Sequence, residues 1–111
     1  MNFEVVVSAR FKQEAKRLNK KYRSLNADIA SLIDSLEADP TQGTSLGKGC
    51  YKVRLAIASK GRGKSGGGRV ITYVHVTETT VYLLSMYDKL EKETVSDEEI
   101  KVFLQELNTE K

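Results

Sequence analysis

The chain has 111 residues, a formal net charge of +3 and hydrophobic residues at 40% of its positions, which predicts one globular domain over residues 1–111. Its single cysteine, Cys50, excludes an intrachain disulfide and a thiol-rich metal site, and it fits a reducing cytosol. No apolar run approaches the roughly 20 residues of a membrane span, and residues 1–8 lack the features of a signal peptide. A soluble, cytoplasmic protein is therefore expected.

The first part of the chain predicts a strand followed by two helices. β-branched residues at 3–7 favour the strand, and Ser8 can cap the helix that follows. Apolar residues then recur at helical spacing in two stripes, which are Phe11, Ala15, Leu18 and Tyr22, then Leu25, Ile29, Leu32, Ile33 and Leu36. Ser24 is expected to cap the second helix and Pro40 to end it. The very short turn between them predicts an antiparallel helical hairpin.

Three strands and a last helix are predicted in the second part, after a polar loop at 41–49. Residues 51–58 alternate between two kinds of side chain, and strands at 69–77 and 80–87 follow. A capping box, Ser96 with Glu99, begins a helix with an apolar face at Ile100, Phe103, Leu104 and Leu107. The order β-α-α-β-β-β-α predicts an α+β fold in which the helical hairpin packs on an antiparallel sheet.

The charges are segregated along the chain. No Asp or Glu lies between Pro40 and Thr77, yet that stretch holds seven cations, which are Lys48, Lys52, Arg54, Lys60, Arg62, Lys64 and Arg69. A cationic segment without counter-charges attracts phosphates, so a polyanionic partner such as nucleic acid is expected.

A glycine-rich stretch at 60–68 resembles two nucleotide-binding motifs by letter only. Residues 61–66 match G-x-G-x-x-G, and Gly63-Lys64-Ser65 resembles the end of a P-loop. Both motifs need a helix after the glycines to hold the phosphate, whereas a strand is predicted here. A hairpin connection that could also close over a phosphate backbone is the preferred interpretation.

Three strings resemble the RelE/ParE superfamily of toxins from toxin–antitoxin systems. They are GCYKVRL at 49–55, GRGKSGGGRVITY at 61–73 and YDKLEK at 87–92, and the glycine-rich insert is most similar to the HigB-type branch. The resemblance implies a RelE-like fold and an mRNA endonuclease that works in the ribosomal A site. It also implies a cognate antitoxin, often a helix-turn-helix repressor, as the neutralising partner.

By position, the resemblance implies catalytic roles for Lys52, Arg54, Arg69 and Lys89. The residues expected to contact RNA or the ribosome are Lys60, Arg62, Lys64, Tyr87, Lys92, Lys16, Arg17 and Lys20. The chain has Leu90 and Ser96 where the best-known members carry an arginine and a tyrosine. The general acid or base is therefore left open between Tyr87, His75 and Lys89, or the chemistry rests on Lys52 and Arg69 alone.

The chemistry of RNA cleavage suits these residue types without a metal or cofactor, because the 2′-OH can attack the adjacent phosphate. An arginine fork matches phosphate oxygens, and a lysine among other cations can transfer protons. Lys52 and Arg54 lie two apart on a strand and share a face, and no carboxylate is expected near them.

Other interpretations stay open. Lys52 and Arg54 could belong to an ordinary solvated face of the sheet, and Arg69 could pair with a C-terminal carboxylate. His75 could be a packing residue. The whole chain could act on DNA gyrase like ParE toxins, or be a plain RNA-binding module.

Overall fold

The computed structural model describes residues 2–60 and 67–110 of the chain. The strands are β1 (Glu4–Val7), β2 (Thr44–Gly47), β3 (Cys50–Leu55), β4 (Gly68–His75) and β5 (Thr80–Asp88). The helices are α1 (Ala9–Asn19), α2 (Leu25–Ala38) and α3 (Asp97–Glu110). Within these described ranges, no helix is long and apolar enough to cross a membrane.

The five strands form one sheet in the order β1-β5-β4-β3-β2. The predicted α+β architecture, with the helical hairpin against the sheet, is confirmed. The sheet differs from the prediction in being mixed, because β1 runs parallel to β5 while the other pairs are antiparallel. The two helices after β1 carry the chain to β2 at the opposite edge of the sheet, and the antiparallel run β2-β3-β4-β5 then brings β5 back beside β1.

The prediction of a loop over 41–49 was wrong in part, because β2 lies within it. Gly47, Lys48 and Gly49 have φ values of 83°, 56° and 78°, and this left-handed turn folds β2 back onto β3. Thr44 then pairs with Lys52 and Ser45 with Tyr51. A short, polar edge strand has no apolar alternation, so the sequence pattern did not reveal it.

The sheet separates two apolar cores. On one face, α1 and α2 cover side chains from β3, β4 and β5, including Val53, Leu55 and Val70. On the other face, α3 covers Ile71, Leu84 and Tyr87 through Ile100, Phe103 and Leu107. The predicted alternation of β3 is confirmed, since its apolar residues face the hairpin while Lys52 and Arg54 lie on the other side. Because α3 covers only part of that second face, the rest is accessible to a ligand.

Most helix ends follow the predicted signals. The Ser8 hydroxyl accepts a hydrogen bond from the Phe11 amide at 3.1 Å. The capping box is present, with Ser96 N to Glu99 Oε1 at 2.9 Å and Glu99 N to Ser96 Oγ at 3.2 Å. Ser24 precedes α2 as expected, but its hydroxyl donates to the Asp28 carboxylate at 2.7 Å and makes no capping bond.

Candidate active site

A groove of about 430 Å³ opens on the sheet face that α3 leaves uncovered. It is lined by Thr44, Lys52, Arg54, Arg69, Lys89, Glu93 and Thr94. All four residues predicted to be catalytic therefore lie around one depression. They reach it from β3, β4 and the segment that follows β5. The groove thus contains four cations and one carboxylate, that of Glu93.

The strand register arranges these cations in successive rows. Arg54 is paired with Arg69, and Arg69 is paired with Tyr87 on β5. Lys52 precedes Arg54 by two residues on β3, and Lys89 follows Tyr87 by two residues. Since two residues of a strand span about 7 Å, Lys52 lies about that far from Arg54 along β3. Lys89 lies beyond the opposite side of the arginine row, in the turn that follows β5.

The two arginines differ in their surroundings. Arg69 is 4% exposed, and its Nη1 donates to the carbonyl of Gly68 at 2.9 Å. Arg54 is exposed on the neighbouring strand. Like charges directly opposite each other in a sheet are destabilising, so folding alone does not favour this pair. An anion between the two guanidinium groups would relieve the repulsion.

The segment after β5 contributes residues to the groove that the sequence did not predict. Lys52 Nζ donates to Thr94 Oγ1 at 3.4 Å, and Glu93 also lines the groove. The expectation that no carboxylate lies near the cations was therefore wrong. Residues 89–96 lack a periodic pattern before the capping box, so no sequence signal placed Glu93 or Thr94 here. The sequence pattern did not predict Thr44 as a groove residue, because β2 itself was not predicted. In the structure Thr44 reaches the groove because it pairs with Lys52.

Tyr87 lies beneath the groove and is only 6% exposed. Its hydroxyl donates to the Glu93 carbonyl at 3.4 Å. Burial raises the pKa of Tyr87, and the nearby Arg69 partly offsets that rise. The ring is thus a support for the 89–94 segment in this conformation, and it does not present an open face for stacking a base.

Lys92 was predicted to contact RNA, and the structure places it against α3. Its ammonium forms an ion pair with Glu99 and lies 5.8 Å from the centre of the Tyr87 ring. The pairing lowers the pKa of Glu99. Lys92 therefore connects the segment after β5 to the beginning of α3.

Lys60 differs from its predicted place on an open, RNA-gripping loop. It ends a short 3₁₀ turn, Ala58–Lys60, and its side chain is 5% exposed. Its ammonium lies 2.8 Å from Asp88 Oδ1 and 5.0 Å from the centre of the Tyr22 ring. These contacts give Lys60 a place inside the fold. The neighbouring predictions, Arg62 and Lys64, lie outside the described residues.

The basic residues of α1 lie on its outer side. Lys16 and Arg17 in its last turn, and Lys20 at its C-cap, are all exposed. Arg17 reaches across to Glu91 with an N–O distance of 3.1 Å, which joins α1 to the segment carrying Lys89. Arg17 is thus close to the segment that follows β5, and none of these three cations lines the groove.

His75 is far from the groove. It ends β4, six residues after Arg69, which corresponds to about 20 Å along a strand. Its Nδ1 accepts from the Glu78 amide at 3.4 Å, and its ring meets Tyr73 edge-on at 6.0 Å. The interpretation of His75 as a packing residue therefore suits its position better than a role as general base.

The described residues do not favour metal chemistry or thiol chemistry. Across 2–60 and 67–110, no group of three or more His, Cys, Asp or Glu side chains is arranged to hold a metal ion. Cys50 is fully buried, and this burial raises the pKa of its thiol to about 11. A buried, protonated thiol is a poor nucleophile.

Comparison with known proteins adds a family and a fold. The family described as the RelE toxin of the RelE/RelB toxin–antitoxin system matches residues 7–110. The free Escherichia coli RelE mutant is 19% identical, with 84% of this chain and 90% of that chain covered and a TM-score of 0.61. The toxin–antitoxin complex RelBE2 of Mycobacterium tuberculosis gives 19% identity, coverage of 79% and 99%, and a TM-score of 0.60. The intact E. coli RelBE complex is 19% identical, with 78% of this chain and 95% of that chain covered and a TM-score of 0.56.

Proposed function

The chain belongs to the RelE toxin family, and on that premise we propose that it is a ribosome-dependent mRNA endonuclease. It would cleave message in the ribosomal A site and so inhibit translation in the cytoplasm. The observation that carries the proposal is the groove in which Lys52, Arg54, Arg69 and Lys89 converge. Assignment to the HigB-type branch stays a prediction.

The reaction that suits this groove is attack by a ribose 2′-oxygen on the adjacent phosphorus. The P–O5′ bond breaks, and the products are a 2′,3′-cyclic phosphate and a new 5′-hydroxyl. One group must accept the 2′-OH proton, a second must stabilise the added negative charge on the phosphate oxygens, and a third must protonate the leaving 5′-oxygen. The nucleophile is part of the RNA, so the protein needs to supply no covalent intermediate.

The strand register supports a division of these roles. Arg54 and Arg69 form the central row, where planar guanidinium groups could bind the phosphate oxygens in pairs. Lys52 and Lys89 lie on either side of that row. Attacking and leaving oxygens lie on opposite sides of the phosphorus in an in-line displacement. We assign one lysine to each of these oxygens, as base and as acid.

Two partners belong to the proposal. Solved relatives include toxin–antitoxin complexes, and this supports a cognate antitoxin, which we expect to be a helix-turn-helix repressor. The ribosome is the second proposed partner, and we expect its RNA to be contacted by two exposed cations, Lys16 on α1 and Lys20 at the C-cap of that helix. Ribosomal RNA would also supply a strongly anionic surface that attracts the basic groove.

A reconstituted translation reaction tests the proposal directly. Purified protein is added to ribosomes stalled on a defined message, and new 5′ ends are mapped by primer extension. Cuts confined to the A-site codon, with a 2′,3′-cyclic phosphate on the upstream fragment, are expected. Strong salt-dependent RNA binding without cuts would instead indicate a binding module, and linear plasmid in a gyrase assay would indicate a ParE-like toxin.

A further inference from the structure

We propose that Asp88 and Lys60 form a buried positioning pair that holds Arg69 and Lys89 at the groove. The inference rests on the proposed function, because it concerns the same groove. Neither residue lines the groove, and nothing in the proposed cleavage chemistry requires them. Together with Tyr22 and Gly67, Asp88 and Lys60 form the Asp88 cluster.

The Asp88 carboxylate is completely buried and gathers donors from several parts of the chain. Its Oδ1 accepts from Lys60 Nζ at 2.8 Å and from the Leu90 amide at 2.9 Å. Its Oδ2 accepts from the Tyr22 hydroxyl and lies 3.5 Å from Lys21 Nζ. The end of β5 is therefore tied to the turn between α1 and α2 and to the 3₁₀ turn at 58–60.

The same cluster extends to the beginning of β4 through one carbonyl. Gly67 O accepts from Lys60 Nζ at 3.3 Å and from the Lys89 amide at 3.3 Å. A Cβ at Gly67 would lie 2.1 Å from Leu55 O, so only glycine allows this close packing. The bonds to Gly67 O fix the backbone two residues before Arg69, and the Leu90 bond fixes the backbone just after Lys89.

An ion pair is an unusual way to fill a core, because removing two charges from water is costly. Hydrophobic residues of the same volume often stabilise a fold equally well or better. What the charged pair supplies is charge-assisted hydrogen bonds, from the Leu90 amide to the Asp88 carboxylate and from the Lys60 ammonium to the Gly67 carbonyl, which a hydrophobic pair could not make. Catalytic side chains need such fixed supports, since small displacements reduce rates strongly.

Lys60→Met tests the inference, because it removes the charge while keeping most of the side-chain volume. Amide hydrogen exchange at residues 89–92 should become at least tenfold faster, while exchange in the centre of β4 stays as in the wild type. In the ribosome assay, kcat should fall at least tenfold with KM nearly unchanged. Lys60→Arg should recover part of both effects.

The matched control is Arg10→Met, which breaks the Arg10–Glu106 pair between α1 and α3 without touching the groove. It should leave exchange at 89–92 and kcat as in the wild type. If Lys60→Met does not fold, Tyr22→Phe removes only one donor to Asp88 and should give a smaller acceleration at Leu90.

Unchanged exchange at 89–92 in the folded variants would overturn the positioning role. So would a kcat that falls only in proportion to the folded fraction. Amide hydrogen exchange is measured on the protein alone and does not depend on whether it cleaves RNA. If the wild type cuts no message, the proposed function fails while the exchange result still decides the role of the pair.

Discussion

Arg54 and Arg69 are paired directly across β3 and β4 on the sheet face that carries the groove. Like charges in this relation destabilise a sheet. The arrangement makes sense if a phosphate binds between the two guanidinium groups. Under the proposed function, the pair would be a place where some stability is given up for phosphate binding.

Replacing Arg54 separates those two effects. We expect Arg54→Thr to raise the free energy of unfolding by about 0.5 kcal/mol, because the repulsion across the strands is removed and threonine suits a strand. The same variant should cleave message more slowly. Urea unfolding and the ribosome assay measure the two quantities. The control is Lys101→Gln, which changes an exposed cation on α3. It should alter neither the free energy of unfolding nor the cleavage rate by a comparable amount.

Lys89 should contribute to RNA binding through its charge. Each phosphate contact with single-stranded RNA adds about 0.7 to the slope of log affinity against log salt concentration. Lys89→Gln should therefore reduce that slope by about 0.7 for a short unstructured RNA, whereas Lys101→Gln should not. An unchanged slope for Lys89→Gln would remove Lys89 from the binding groove.

The sequence predicted the cations of this groove well for a physical reason. Alternation along residues 51–58 assigns Lys52 and Arg54 to one face of a strand, and the neighbouring strand then brings Arg69 to the same place. The first fact depends on local periodicity, which a sequence displays directly, and the role of Arg69 was implied by the resemblance to the RelE/ParE superfamily. The groove contains all three residues.

The positions of Asp88, Lys60 and Glu93 were not predicted, because they depend on contacts between distant segments of the chain. Asp88 takes its bonds from Tyr22 and Lys60, so no local pattern could show that its carboxylate is buried. The same limit applies to Lys60, whose glycine-rich neighbourhood resembles an open loop. Glu93 enters the groove from an irregular segment, where side-chain direction has no period to follow.

Stability should depend on the charge of Asp88 in acid. Burial opposes its ionisation, but hydrogen bonds from Lys60, Tyr22 and the Leu90 amide outweigh that effect and hold the pKa of Asp88 below its usual range. A depressed folded-state pKa contributes stability above the unfolded value of about 3.9, and that contribution is lost as the pH falls toward the folded value.

Asp88→Asn should accordingly be less stable than the wild type at neutral pH, and the difference should shrink below about pH 4. Urea titrations at several pH values measure it. Asp34→Asn, which changes an exposed aspartate of α2, should differ little from the wild type throughout. A difference for Asp88→Asn that is constant from neutral to acid pH would contradict the account of its charge.

Cys50 should report unfolding. The thiol is fully buried, and burial raises its pKa to about 11, so the reactive thiolate is scarce in the native protein. We expect Ellman's reagent to label Cys50 only after denaturant is added. Rapid labelling of the native protein would show that the core beneath α3 opens readily.

The central claim is that the four-cation groove cuts message on the ribosome. The most direct measurement compares single-turnover cleavage of A-site message by the wild type, Lys52→Met, Arg69→Gln and Lys101→Gln, each first shown to be folded. Loss of a proton-transferring or charge-stabilising group typically lowers such rates by about 100-fold or more. We predict that loss for Lys52→Met and Arg69→Gln, with Lys101→Gln at the wild-type rate. Cleavage at the wild-type rate by both Lys52→Met and Arg69→Gln would contradict the claim.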